Sequence, residues 1–156
     1  MGSHTYQLIR EQVIPCSVEE VFDFFADARN LEMLTPPLLN FEILTPGRIS
    51  MHAGTIIQYA LKVHQIPVHW TTAISEWNPP HEFVDVQLRG PYILWHHRHQ
   101  FQSLGNETRM IDEVHYRLPL GCIGRAVHWL FVERDLRQIF DYRARIVEQQ
   151  FCASAS

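Results

Sequence analysis

Apolar and polar residues alternate along most of this chain, and where the alternation stops a helical spacing takes over. Tyr6 to Ile14 reads as a strand that ends at Pro15. Ser17-Val18-Glu19-Glu20 then has the form of a capping box, with Cys16 and Val21 placed as a hydrophobic staple. Val18, Val21, Phe22 and Phe25 follow at helical spacing and predict a short amphipathic helix to about Ala28. Leu31 to Leu34 adds another turn, which Pro36-Pro37 terminates.

Six further strands are expected. Phe41 to Leu44 is short and stops at Pro46-Gly47. Thr55 to His64 places Thr55, Ile57, Tyr59, Leu61 and Val63 on one face, and His69 to Trp77 does the same with Trp70, Thr72 and Ile74. Asn78-Pro79-Pro80 breaks the run. Phe83 to Leu88, Tyr92 to Leu104 and Arg109 to Leu118 complete the series, separated by Gly90-Pro91 and by the hairpin pair Gly105-Asn106. After Pro119-Leu120-Gly121, residues 122–151 fit one long helix without internal proline. Ile123, Val127 and Leu130 make one apolar stripe; Val132, Leu136, Ile139, Arg143 and Ile146 continue a drifting one.

A curved antiparallel sheet with one long terminal helix over its concave side is the architecture this order implies. One helix cannot fill the whole concave side of so large a sheet, so an apolar cavity is expected beside it. Ile139 and Ile146 should point into it.

The hairpin sets the register of its two strands. With a two-residue turn at Gly105-Asn106, Phe101 opposes Met110, His99 opposes Asp112, His97 opposes Val114 and Trp95 opposes Tyr116. The inward set is then Ile93, Trp95, His97, His99, Phe101, Met110, Asp112, Val114 and Tyr116, joined by Tyr59, Leu61, Trp70, Thr72 and Ile74. Tyr92, His96, Arg98, Gln100, Ile111, Glu113, His115 and Arg117 face the other way. A bulge would flip part of this list.

The chain of 156 residues is one domain, expected over residues 5–152 with flexible termini at 1–4 and 153–156. A net charge of −4 argues against nucleic acid as partner. No run is apolar enough for stable membrane insertion, and Cys16, Cys122 and Cys152 form no disulfide framework, so a cytoplasmic location is expected. No GxGxxG, GxSxG or other nucleophile motif is present. His128, beside Trp129, reads as a surface or edge residue of the long helix.

His97, His99 and Asp112 form the polar group of the inward set, and three readings stay open for them. They are a satisfied structural network in which Asp112 accepts from His99; or a hook for the polar end of an apolar ligand, shared with the Tyr116 hydroxyl; or a metal site with Asp112 as third ligand or orienter. The expectation is no metal and no cofactor.

The order of elements, with the strings "VIPCSVEEVFDFFADARNLEMLTPPLLNFEIL", "GTIIQYALKVHQIPVHWTTAISEWNPPHEFVDVQLRGPYILWHHRHQF" and "MIDEVHYRLPLGCIGRAVHWLFVERDLRQIFDYR", resembles the helix-grip proteins of the START and polyketide-cyclase-like (SRPBCC) superfamily, in a bacterial branch. The resemblance runs from Tyr6 to Phe151. It implies an α+β helix-grip fold and carriage of a small hydrophobic, lipid-like or aromatic ligand, with a cyclase, dehydratase or aromatase activity as the alternative. Tyr59, Leu61, Trp70, Ile74, Trp95, His97, His99, Phe101, Asp112 and Tyr116 are the expected ligand contacts, and His99 with Asp112 is the candidate acid/base pair. A homodimer is among the partners the sequence allows.

Overall fold

The structure is a computed structural model and describes residues 4–153. The termini expected to be flexible therefore lie outside the described residues, except for His4 and Ala153. Seven strands form one antiparallel sheet in the order β1-β7-β6-β5-β4-β3-β2. They are β1 (Tyr6–Ile14), β2 (Glu42–Ile43), β3 (Ile56–Val63), β4 (Ile66–Asn78), β5 (Glu82–Arg89), β6 (Leu94–Ser103) and β7 (Thr108–Arg117). Helices α1 (Val18–Ala26) and α2 (Asn30–Leu34) follow the first strand. The chain ends in α3 (Gly121–Val127), one wide π turn (His128–Val132) and α4 (Glu133–Cys152), together a continuous 32-residue helix. This is the helix-grip fold expected from the sequence.

Ser17 caps α1, although with a rearranged capping box. The Glu20 amide donates to Ser17 Oγ at 3.4 Å, while the Glu20 carboxylate accepts from the Ser17 hydroxyl at 2.8 Å and from the Cys16 thiol at 2.9 Å. Val18, Val21, Phe22 and Phe25 are all buried, as their spacing predicts.

The β6–β7 hairpin has the register counted from its turn: Phe101 faces Met110, His99 Asp112, His97 Val114 and Trp95 Tyr116. The Leu104 amide donates to the Glu107 carbonyl at 2.8 Å, which closes the turn. Two differences from the expected inward set have local causes. Strand β6 begins at Leu94, so alternation cannot be extended back through Gly90–Ile93. Ile93 accordingly lies 58% exposed, and Tyr92 turns inward against Trp70, Trp95 and Tyr116. The Gln87 side chain holds it there, bonded to both the amide and the carbonyl of Tyr92. On β4 the register slips between Ile74 and Glu76, which turns Trp77 toward Phe22 and Phe83. Strand β4 also starts earlier than expected, because His64 and Gln65 both adopt positive φ and close a two-residue hairpin without glycine.

The terminal helix lies along the concave face. Its inward stripe is Leu136, Phe140, Val147 and Phe151, with Arg143 among them; Ile139 and Ile146 flank it half-buried. A straight α-helix would put His128, eight residues before Leu136, about 80° off this stripe. The π turn absorbs about one residue and brings His128 back to it. His128 is therefore buried, contrary to the surface position expected. The Ile123, Val127 and Leu130 stripe is the opposite case: those residues are 65%, 41% and 54% exposed. Their helix leaves the sheet, and only Gly124 of α3 is buried, where a Cβ would collide with the Pro119 carbonyl. No helix among the described residues is long and apolar enough to cross a membrane.

A buried charged cluster beside an aromatic box

Strands β5, β6 and β7 bring four titratable side chains together at the centre of the concave face, and α4 lays Arg143 over them. His97 and His99 are two apart on β6 and so project to the same side. Asp112 lies across from His99 on β7, and Asp85 lies across from His97 on β5. The bonds run on the diagonals as well as straight across. His97 Nε2 donates to Asp112 Oδ1 at 2.8 Å, and His99 Nδ1 lies 3.0 Å from that same oxygen. His99 Nε2 is 2.7 Å from Asp85 Oδ2, and His97 Nδ1 is 3.6 Å from it. Arg143 reaches Asp112 Oδ1 at 3.5 Å. Phe83 stacks on the His99 ring at 4.1 Å, and Phe140 meets His97 edge-on at 5.5 Å.

The proton inventory follows from these distances. His99 Nε2 donates to Asp85, while Nδ1 faces both Asp112 Oδ1 at 3.0 Å, to which the charged ring donates, and the Arg143 guanidinium at 3.3 Å, from which the neutral ring accepts. Burial opposes that charge, but the bonds to Asp112 and Asp85 outweigh it and raise the His99 pKa. Burial and the neighbouring His99 charge lower the pKa of His97, which stays neutral. Burial alone would raise both carboxyls. Arg143 and the two imidazoles instead hold Asp112 well below its ordinary value, and the imidazoles hold Asp85 below its own. Two anions and two cations then balance inside an apolar shell, the arrangement a buried ionic group needs to persist.

Beyond His97 lies a box of aromatic rings. Tyr59 stacks on Trp70 at 5.9 Å, Trp70 meets Trp95 edge-on at 5.2 Å, and Tyr92 touches Trp70, Trp95 and Tyr116 at 5.5, 5.0 and 5.8 Å. Burial and the nearby Asp85 charge push the Tyr59 hydroxyl well above its ordinary pKa. Tyr116, pushed up to about 12 mainly by burial, bonds through its hydroxyl to His128 Nε2 at 2.8 Å. Trp70 Nε1 and Arg143 Nε are among the buried donors without a hydrogen-bond partner among the described residues.

Of the residues expected at the site, Tyr59, Trp70, Trp95 and Tyr116 meet in this box, and His97, His99 and Asp112 in the charged cluster. Leu61 is half-buried on β3. Phe101 and Ile74 sit instead in the core cluster with α1, where Phe101 packs on Phe22 and Phe25 at 5.4 and 5.6 Å. Asp85, Tyr92 and His128 were missed as members of the site. Alternation on β5 makes Val84, Val86 and Leu88 the apolar face and puts Asp85 with Phe83, Gln87 and Arg89 on the other, so a reading by periodicity directs Asp85 away from the core. The two imidazoles on β6, each with a second nitrogen to satisfy, were the signal that pointed to another carboxylate. Beside the end of β1, at Gln12 to Pro15 with Glu148 and Cys152, lies a hollow of about 220 Å³. A hollow of about 70 Å³ opens between β1 and α4, lined by Gln12, Met110, Asp112, Phe140 and Arg143 among others. That is well below the roughly 300 Å³ at which small-molecule pockets begin.

Solved structures share this architecture. A protein from Thermus thermophilus matches at 18% identity with a TM-score of 0.76, over 97% of this chain and 100% of its own. The Zhui aromatase/cyclase of a Streptomyces species matches at 14% identity and TM-score 0.77, over 98% and 97%. A norcoclaurine synthase from Thalictrum, solved with a transition-state analogue, matches at 14% and 0.72, over 100% and 99%. At these identities the likeness shows the fold. No curated protein matches in sequence. Residues 14–148 match the family model described as polyketide cyclase / dehydrase and lipid transport, and the chain belongs to that family, within the START-like helix-grip superfamily.

Proposed function

We propose that this protein binds or carries a small, flat, hydrophobic molecule bearing an oxygen acceptor, held in the aromatic box and oriented by the charged cluster beside it. The observation that carries this reading is Trp70 Nε1, a buried donor in that box with no acceptor among the described residues. A buried donor left unpaired costs on the order of 1–3 kcal/mol, and a carbonyl or hydroxyl oxygen of a ligand would recover that cost. The surrounding Tyr59, Trp70, Tyr92, Trp95 and Tyr116 rings supply apolar area with polar edges, the composition expected of a site for an oxygenated aromatic. Because the rings now pack on each other, a ligand enters by displacing Tyr92 or Trp95. The description of the family, which spans cyclases and lipid transport, is compatible with this reading.

The test compares naphthalene with 2-acetylnaphthalene, which have similar apolar bodies and differ in one carbonyl. Trp70→Phe keeps a ring but removes the donor. The ketone should lose about tenfold in affinity, close to the worth of one hydrogen bond, while the hydrocarbon changes little. Equal loss for both probes, or no saturable binding of either by the wild type, would reject the proposal.

A second reading, catalysis of a cyclase or dehydratase kind, is favoured by the position of His99 between two carboxylates, which suits a proton donor. The readings separate in Asp112→Asn. A carrier loses only a modest part of its affinity, whereas an enzyme loses orders of magnitude in turnover with affinity little changed.

A further inference from the structure

We propose that Asp85, His97 and His99 form a site for one divalent transition-metal cation of the zinc or ferrous class, with Asp112 orienting both imidazoles. In the sequence a metal site is one of three open readings, with Asp112 as third ligand or orienter and no metal as the expectation. Asp85 alters that, and the inference shares the charged cluster with the ligand reading but uses no residue of the aromatic box.

The argument starts from which ring nitrogens are committed. His97 Nε2 and His99 Nδ1 both point at the single oxygen Asp112 Oδ1, at 2.8 and 3.0 Å. His97 Nε2 is thereby tied to the carboxylate, and His99 Nδ1 is held between that oxygen and the Arg143 guanidinium, 3.3 Å away. Metal-bound histidines are held in this way, with the far N–H donated to an acidic or carbonyl oxygen that sets tautomer and ring angle. The remaining nitrogens, His97 Nδ1 and His99 Nε2, lie on the Asp85 side, 3.6 and 2.7 Å from Asp85 Oδ2. One donor atom from each of the three residues falls within 4.8 Å of the others. Ligands about 2.1 Å from a common ion stand roughly 3.0–3.5 Å apart at octahedral or tetrahedral angles. The two spacings to Asp85 bracket that range, and the two imidazole nitrogens, within 4.8 Å of each other, close to it by side-chain rotation. The gap between His99 Nε2 and Asp85 Oδ2 has to hold either a proton or a cation, since two lone pairs at 2.7 Å repel.

Charge and surroundings agree with this assignment. Arg143 sits at the Asp112 corner, 3.5 Å from Oδ1, and offsets that carboxylate. With both imidazoles neutral, Asp85 leaves one uncompensated negative charge facing the candidate position. Phe83 stacked on His99 and Phe140 against His97 keep the local dielectric low, which strengthens a dication's attraction to these donors. Two imidazoles and one carboxylate leave coordination positions open, as in catalytic zinc sites and non-haem iron sites.

The probes are Co²⁺ and Zn²⁺ alone, added to the full chain made without a polyhistidine tag and first stripped with a chelator. Calorimetry should show one-to-one binding, and Co²⁺ should develop the visible absorption of an imidazole-bound ion. Asp85→Asn and His99→Gln should each weaken binding at least tenfold. Asp112→Asn should weaken it by about 10- to 100-fold, the range for partners that orient metal-bound histidines. His64→Gln, a control at an exposed histidine paired with Asp135, should leave it unchanged. If the cluster variants do not fold, paramagnetic broadening by Co²⁺ in the wild type decides: His97 and His99 ring resonances should vanish first. Absence of one-to-one binding, binding insensitive to Asp85→Asn and His99→Gln, or broadening centred on other histidines overturns the proposal.

Discussion

At the α1 end of the concave face, Phe22, Phe25, Phe83 and Phe101 pack around Ile14, Val21 and Val147, and none of those phenyl rings has a polar atom to satisfy. At the α3 end, Tyr6, Tyr92, Trp95 and Tyr116 gather around Val114, Leu136 and Phe140, and His128 stacks on Tyr6 at 3.5 Å. The His97–His99 cluster lies between the two. Both ends bury aromatic area against the same terminal helix, yet one is mainly phenyl and aliphatic, with Met110 and the Trp77 indole at its side, and the other carries hydroxyl, indole and imidazole groups. A phenyl core can only be closed. Rings with polar edges can exchange partners with a guest, because each has a donor or acceptor to offer. Under the proposed function, stability belongs to the α1 end and recognition to the α3 end.

Removing Phe101 tests the closed end. Phe101 is 2% exposed, and Phe101→Ala should cost about 3–5 kcal/mol in chemical denaturation. If Trp95→Ala proves equally destabilising, the division between the two ends fails. The charged cluster should come next. Asp112→Asn keeps the shape but leaves the His99 and Arg143 charges without their anion, so a loss of about 3 kcal/mol is expected from the same measurement. A loss under one hydrogen bond's worth would show that the four charges are not acting as a unit.

Trp95→Ala addresses recognition. Burying an aromatic side chain against a guest is worth on the order of 2 kcal/mol, so affinity for an aromatic probe should fall more than tenfold. Phe101→Ala, where folded, should alter probe affinity less, and titration by tryptophan fluorescence or calorimetry distinguishes them.

The smallest effect concerns Tyr116 and His128. Tyr116→Phe removes one hydrogen bond and should cost about 1 kcal/mol. Burial lowers the His128 pKa, against a smaller opposing pull from Glu133. Its contribution is therefore complete above the ordinary imidazole value of about 6.5 and is lost as pH falls from there toward the lowered folded value. His97 acts in the same direction. His99, whose pKa is raised, acts in reverse and stabilises most below the ordinary value. Unfolding measured across roughly pH 5.5 to 7.5 (about one unit either side of the ordinary value) should show a shallower acid-side loss in His128→Gln than in wild type. Identical slopes would mean that His128 is not held neutral.

Local rules were sufficient for most of the fold. The proline and glycine breaks, the Ser17 cap, the two-residue turn at Gly105-Asn106 and the spacing of Val18, Val21, Phe22 and Phe25 act over a few residues each, and each is expressed in the structure. The hairpin register followed by counting, because side chains alternate strictly once a turn is known, and with it came the pairing of His99 with Asp112. What local rules could not decide are the places where two answers have nearly equal local energy. On strand β5 the apolar Val84, Val86 and Leu88 face competes with the Phe83 and Asp85 face, and only the pairing with β6 decides that Asp85 meets the histidines. Residues 90–93 have no strand pairing to enforce alternation, so contact with Gln87 decides that Tyr92 turns in. The helix stripe drifts in sequence, and a π turn formed where the helix meets Tyr6 and Tyr116 puts His128 on the inner face. In each case a side chain from a distant part of the chain supplies the deciding contact, and only the assembled sheet and helix hold both partners at once.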